Sequence, residues 1–227
     1  MLKSQLVIFD CDGVLVDSEY ISAQINSELL NNAGFPISHQ ELLKNYAGLV
    51  FDDILKAIEQ KNNILFPSTL LNASQALFLK QMQTDLFPIV GVRENIQSLK
   101  IPYCVCSNSA SSSIKNMLRL TNLYDLFKER IFSASEVGSK KAKPAPDVYL
   151  YAAHTYKVQP EKVMVLEDSV HGVTAAKKAG MRVIGFTGGR HAWSGISHDL
   201  MKAGAETTIR RHADLVTVIE ALEKNDD

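Results

Sequence analysis

Three apolar runs in the sequence end abruptly in side chains capable of chemistry. "LVIFDCDG" delivers Asp10 and Asp12 one residue apart, "YCVCSN" delivers Ser107 and Asn108, and "KVMVLED" delivers Glu167 and Asp168. A fourth stretch, "KKAKPAPDVY", supplies Lys143 ahead of a helix. Four carboxylates sharing one site raise one another's pKa, because each disfavours the charge on the next. A hard divalent cation relieves that repulsion, and a donor set of oxygens with little nitrogen or sulfur favours Mg²⁺. Beside Mg²⁺ and a lysine, an ionised Asp10 is a nucleophile. The electrophile it suits is a phosphoryl group, whose charge those cations neutralise. Asp12 is then placed to protonate the leaving oxygen, and afterwards to take a proton from the water that hydrolyses an aspartyl-phosphate. Ser107 and the backbone amides near Asn108 would hold phosphate oxygens, as strand-to-helix turns do.

Such groups meet only if the strands that carry them run side by side in the same direction. Leu6 to Phe9 is an unbroken apolar run, the pattern of a strand covered on both faces, and Gly13 permits an irregular exit from it. Further strands are expected at 103–108, 130–134, 162–168 and 182–186, with a short sixth in "TTIR". Helices separate them: one opened by Ser109 or a following serine, one led by Pro146 and ending near Tyr156, and one from Ser169 to Lys178 closed by Gly180. This alternation predicts an α/β fold, a Rossmann-like, mostly parallel sheet with helices on both faces and strand carboxyl ends on one side.

Between the first strand and the rest lies an all-helical block. Ile21, Ile25 and Leu29 recur at fourfold spacing over 18–33, and Ser38 with Glu41 forms a capping box at the next helix. "FDDILKAIEQKNN" and "STLLNASQALFLKQMQTDLF" complete four helices. The expected division is a catalytic core of 1–16 and 88–227, with 17–87 inserted as a helical cap on hinges at 14–18 and 87–91.

Composition narrows the substrate. The 227 residues carry 24 basic and 25 acidic side chains, a net charge of −1, so no global positive field attracts nucleic acid or an anionic membrane. A small phosphorylated metabolite is the expected partner, for a monomer or weak homo-oligomer. The amino terminus enters the first strand with no room for a signal peptide, and no apolar run reaches membrane-spanning length. Cys11, Cys104 and Cys106 form no CxxC pair and read as buried packing residues in a reduced, cytoplasmic compartment. Cys11 faces away from its acidic neighbours by strand alternation.

Each cluster has a plainer reading when taken singly. Ser107 and Asn108 could cap a helix, Lys143 could belong to a solvated basic run, and Glu167 with Asp168 could face a helix dipole. Together, in order and at strand ends, "DCDGVLVDS", "CSNS", "KPAPDVY" and "LEDS" resemble the four motifs of the haloacid dehalogenase superfamily of phosphohydrolases. The likeness spans nearly the whole chain, since the helical block matches that superfamily's small α-helical cap. It implies Asp10 as nucleophile and Asp12 as acid/base. It implies Mg²⁺ on Asp10, the Asp12 main-chain carbonyl and Asp168, with Glu167 close by or acting through water, and phosphate on Ser107 and Lys143. "YAGLVFDD" is similar to the superfamily's substrate-facing loop, centred on Gly48, so Leu49, Val50 and Phe51 would meet the leaving group. Sugar or sugar-acid phosphates are the implied substrates. Phosphomutases similar to β-phosphoglucomutase carry an arginine three residues after that glycine; Phe51 stands there, which favours hydrolysis, although Lys44 or Lys56 could substitute. A catalytically idle phosphosugar sensor is the remaining alternative. His171 and the "TGGRHAWSG" loop of 187–195 could border the pocket or lie on the surface.

Overall fold

The computed structural model describes residues 3–46 and 48–224. Met1, Leu2, Ala47 and residues 225–227, which fall within the expected core and cap ranges, lie outside it. The chain opens with β1 (Leu6–Phe9), whose four side chains are fully buried. Four helices follow: α1 (Ser18–Asn32), α2 (His39–Tyr46), α3 (Phe51–Asn62) and α4 (Thr69–Asp85). Strands and helices then alternate through α5 (Val92–Ser98), β2 (Tyr103–Ser107), α6 (Ser111–Leu120), α7 (Tyr124–Phe127) and β3 (Ile131–Ser133). The last part comprises α8 (Asp147–Tyr156), β4 (Val163–Glu167), α9 (Val170–Lys178), β5 (Arg182–Phe186), α10 (Ile196–Ala203), β6 (Thr207–Ile209) and α11 (Leu215–Lys224).

All six strands are parallel, in the order β3-β2-β1-β4-β5-β6. This is the Rossmann order, and its direction reverses at β1, between its sheet neighbours β2 and β4. Alternation along β1 divides the core. Val7, Phe9 and Cys11 pack on one face with Ile114, Phe127 and Leu215, whereas Leu6 and Ile8 pack on the other with Cys104, Cys106 and Val173. Each fully buried aliphatic or aromatic side chain contributes about 1.5–3 kcal/mol. The three cysteines are free and buried, and Cys11 lies on the face opposite Asp10.

The helical block has a small core of its own around Leu30, Leu42, Phe51, Ile54, Ile58 and Leu70. Its first and last helices also reach the sheet, where Ile21, Ile25 and Met82 join the cluster beneath β1. The two chain crossings lie side by side: Asp17 N donates to Phe87 O at 3.0 Å, and Ile89 N to Leu15 O at 2.9 Å. Ser38 and Glu41 form the expected capping box, with Ser38 N donating to Glu41 Oε2 at 2.9 Å and Glu41 N to Ser38 Oγ at 3.2 Å.

Some boundaries differ from expectation. The helix after β2 begins at Ser111 with Ala110 at its cap position, because Ser109 Oγ donates elsewhere. Pro146 precedes α8 by one residue, and β3 keeps only three residues. The sequence pattern does not anticipate α7, α10 or α11. Among the described residues no helix is long and apolar enough to cross a membrane.

Candidate active site

The edge formed by the strand carboxyl ends is where open α/β sheets gather ligands, at the point where strand order reverses. Asp10 leaves β1 there, with its amide still bonded to Leu166 O of β4 at 3.0 Å. Lys143 reaches it from the loop ahead of α8, and its side chain is almost fully buried. Lys143 Nζ donates to Asp10 Oδ1 at 2.6 Å, to Glu167 Oε1 at 2.7 Å and to Cys106 O at 2.8 Å, which uses all three of its protons. The loop is held by Lys143 N donating to Asn108 Oδ1 at 2.8 Å.

Glu167 is anchored at both oxygens. Tyr149 Oη donates to Oε1 at 2.8 Å, while Ser169 N and Ser169 Oγ donate to Oε2 at 3.2 and 3.1 Å. Gly172 makes room for this carboxylate, since a Cβ there would overlap it. Burial opposes the charge on Lys143, but Asp10 and Glu167 outweigh it and hold the ammonium well above its ordinary pKa. Burial pushes Asp10 well above the usual carboxylate range; Lys143 pulls it back, and Glu167, Asp168 and Asp12 push it further up.

Asp12 is oriented by three hydroxyls. Ser18 Oγ donates to Oδ1 at 2.7 Å; Ser107 Oγ and Ser109 Oγ donate to Oδ2 at 3.0 and 2.9 Å. The loop between Asp10 and these donors turns on Gly13, whose φ of 78° is a left-handed conformation that favours glycine. A Cβ at Gly13 would also overlap Asp168 Oδ2.

Asp168 meets a residue that the sequence reading left open. His191, in the loop after β5, is 2% exposed, and its Nε2 lies 2.7 Å from Asp168 Oδ2. Burial disfavours the imidazolium, yet Asp168 prevails and raises the His191 pKa. Burial raises Asp168 in turn, and His191 lowers it. The neighbouring Arg190 pairs with Asp17 and stacks over Tyr20 at 4.6 Å, so the 187–195 loop borders both the site and α1. The signal was the position of "TGGRH" after a strand end on the same edge as the other motifs. Ser18, Ser109, Tyr149 and Glu19 were also missed as site residues, although the first three close the quoted motifs and Glu19 directly follows one.

From the helical block, Gly48 brings its loop against the core. A Cβ at Gly48 would lie 2.9 Å from Ser169 Oγ, its φ is 80°, and Asn108 Nδ2 donates to Gly48 O at 3.4 Å. Asn108 therefore ties together β2, the Lys143 loop and the helical block. The structure brings Asp10, Asp12, Ser107, Asn108, Lys143, Glu167 and Asp168 to one cleft of about 400 Å³, with Gly48, Leu49, Val50 and Phe51 on its far wall. Among the described residues no three His, Cys, Asp or Glu side chains stand as a preassembled metal cluster, since Asp10 turns to Lys143 and Asp168 to His191.

Residues 7–186 match the family of haloacid dehalogenase-like hydrolases. Among curated relatives, 6-phosphogluconate phosphatase of Escherichia coli is 26% identical over 84% of this chain and 86% of its own. Hexitol phosphatase B of Escherichia coli is 30% identical over 78% of this chain and 81% of its own. A crystal structure of a conserved haloacid dehalogenase-like protein of unknown function from Agrobacterium tumefaciens superimposes with a TM-score of 0.90 and 44% identity, covering 97% of this chain and 99% of that one. The chain belongs to the haloacid dehalogenase-like hydrolases, as a phosphoric monoester hydrolase.

Proposed function

We propose that this cleft hydrolyses phosphate monoesters of small metabolites through an aspartyl-phosphate on Asp10, in a Mg²⁺-dependent reaction, with α1–α4 serving as a cap over the core. The observation that carries the reading is Lys143, buried between Asp10 and Glu167 at 2.6 and 2.7 Å, with Asp12 two residues on and held by three hydroxyls. An Asp10 oxygen attacks phosphorus, the ester P–O bond breaks, and Asp12 gives its proton to the departing oxygen. Water then attacks phosphorus, Asp12 takes its proton, and the P–O bond to Asp10 breaks to release phosphate.

The donor set fits Mg²⁺. Asp10, Asp168 and the Asp12 main-chain carbonyl would supply hard oxygen ligands, and Gly13 leaves the space in which Asp168 reaches the end of β1. Bound there, the ion would neutralise charge on the transferring phosphoryl group. Both Glu167 oxygens are engaged by protein donors, so we assign Glu167 to holding Lys143. Ser107 and Lys143 remain the phosphate-binding groups, and Asn108 braces them.

The mutase alternative needs a cation for a second phosphate. Phe51 occupies the expected position, Lys56 pairs with Asp52 on the surface, and Lys44 lines a separate cavity beside Arg190 and Trp193. Hydrolysis is therefore the preferred reading, in a reducing, cytoplasmic setting that suits three free buried thiols. The test is phosphate release from a panel of sugar, polyol and nucleotide monophosphates, with Mg²⁺ and with EDTA. Release that requires Mg²⁺ and falls at least about 1,000-fold in Asp10→Asn supports the mechanism. Undiminished turnover in that variant would remove Asp10 as nucleophile.

A further inference from the structure

Each acid at the strand ends has a protein partner. Lys143 holds Asp10, three hydroxyls hold Asp12, and Tyr149 with Ser169 anchors Glu167. Asp168 meets His191, which comes from outside the four motifs. His191 Nε2 stands 2.7 Å from Asp168 Oδ2, off the line of an imidazole N–H, and among the described residues its Nδ1 has no hydrogen-bond partner. The side chain is nevertheless 2% exposed. A buried ring nitrogen without a partner costs stability, so packing alone would be served better by an apolar side chain.

Two glycines make room for this ring. A Cβ at Gly13 would come within 2.7 Å of His191 Cε1, and one at Gly189 within 2.4 Å of both Cε1 and Nδ1. The imidazole thus fills a slot between the exit of β1 and its own loop. Asp168 Oδ2 enters the same slot, where a Cβ at Gly13 would overlap it. The preceding residue pins the loop. Arg190 N donates to Asp17 Oδ1 at 3.1 Å, and the guanidinium pairs with Asp17 and stacks over Tyr20 of α1. Ring and carboxylate are therefore preorganised from outside the cleft. We propose that His191 is a positioning residue for the cation site: it pins Asp168 Oδ2 beside Gly13, which leaves Oδ1 to face the ion. This deepens the Mg²⁺-dependent reading and rests on it. Side chains that stand behind a metal ligand in this way commonly set affinity by about 10- to 100-fold.

The experiment measures Mg²⁺ binding by isothermal titration calorimetry, without substrate, for the parent, His191→Leu, His191→Gln and Gly189→Ala. His191→Leu removes both ring nitrogens and keeps the site filled, and should raise the Mg²⁺ Kd by about 10-fold or more. Gly189→Ala keeps the imidazole but displaces it, and should raise Kd in the same direction. His191→Gln returns an N–H donor near the Nε2 position, and should recover most of the affinity. Thermal unfolding in EDTA separates this role from packing, which would lower Tm there and leave Kd unmoved. Unchanged or tighter Mg²⁺ binding in His191→Leu and Gly189→Ala, or no recovery in His191→Gln, would overturn the proposal. Should His191→Leu fail to fold, Gly189→Ala decides, and a Kd equal to the parent's overturns it. A parent that binds Mg²⁺ yet hydrolyses no phosphomonoester would overturn the phosphatase reading and leave the assignment of His191 standing.

Discussion

Replacing Lys143 with methionine removes one ammonium and keeps most of the side-chain volume. Its Nζ makes contacts of 2.6, 2.7 and 2.8 Å to Asp10, Glu167 and Cys106 O. The change leaves two carboxylates side by side, 7% and 1% exposed, with their shared counter-ion gone. Breaking a buried pair in this way costs about 3–5 kcal/mol, a large fraction of the 5–15 kcal/mol by which domains are usually stable. The deficit should depend on pH in a defined direction. Burial already raises Asp10 above its unfolded value and Lys143 pulls it back, so without Lys143 its folded-state pKa rises further and its ionisation destabilises the fold. The deficit is therefore largest near pH 7 and shrinks toward pH 5 as Asp10 takes up a proton. Mg²⁺ at 100 times Kd should stabilise each protein by about 2.7 kcal/mol, and the deficit narrows by whatever tighter binding the variant gains from its unneutralised acids. Urea unfolding of both proteins at pH 7 and pH 5, in EDTA and in Mg²⁺, measures all three effects. A Lys143→Met protein as stable as the parent at pH 7 in EDTA, or one whose deficit is the same at both pH values, would refute the account of this pair.

Gly172→Ala should behave like a displacement of Glu167, because the new Cβ would overlap its carboxylate. Expected are a loss of about 2–4 kcal/mol in thermal or urea unfolding and about a 100-fold fall in kcat. An unchanged kcat would mean that the Glu167 position is not needed to hold Lys143. His212 gives the clearest pH effect on stability. It is wholly buried, Nε2 lies 2.8 Å from Val14 O, and burial lowers its pKa from 6.5 to about 4. Its contribution is complete above pH 6.5 and is lost as pH falls through about 4, about 3 kcal/mol in all. Unfolding free energies of the parent and His212→Gln should therefore differ in slope by about 1.4 kcal/mol per pH unit between those limits, and equal slopes would reject the assignment.

The candidate site was legible as a cluster because its residues sit immediately after apolar runs. Asp10, Ser107, Glu167 and Asp168 are each within one residue of a strand end, and a parallel sheet converts that local fact into proximity. What was not legible depends on contacts between distant segments. His191 lies 23 residues beyond Asp168 in a loop of ordinary composition, and only the approach of that loop to Gly13 makes it a partner. Ser109 reads as a helix cap in one dimension, yet Asp12 claims its hydroxyl in three. Likewise α11, "LVTVIEALEK", has the β-branched content of a strand. Burial of Leu215 and Ile219 on one helical face decides otherwise.

The position of the helical block within the chain has a consequence for biosynthesis. Strand β1 is made first, but its partner β4 follows some 155 residues later, and β2 nearly 100 residues later. At about 5–20 residues per second, β1 waits on the order of 10–30 s for both edges of its ladder to be filled. During that interval the ribosome releases α1–α4, which carry a compact apolar cluster of their own around Phe51 and Ile58. The nascent chain thus exposes "LVIF" with its backbone unpaired while a neighbouring module condenses, so this segment is the natural target for a chaperone. The strand that leads into Asp10 is the first of the six to be synthesised and among the last to be completed.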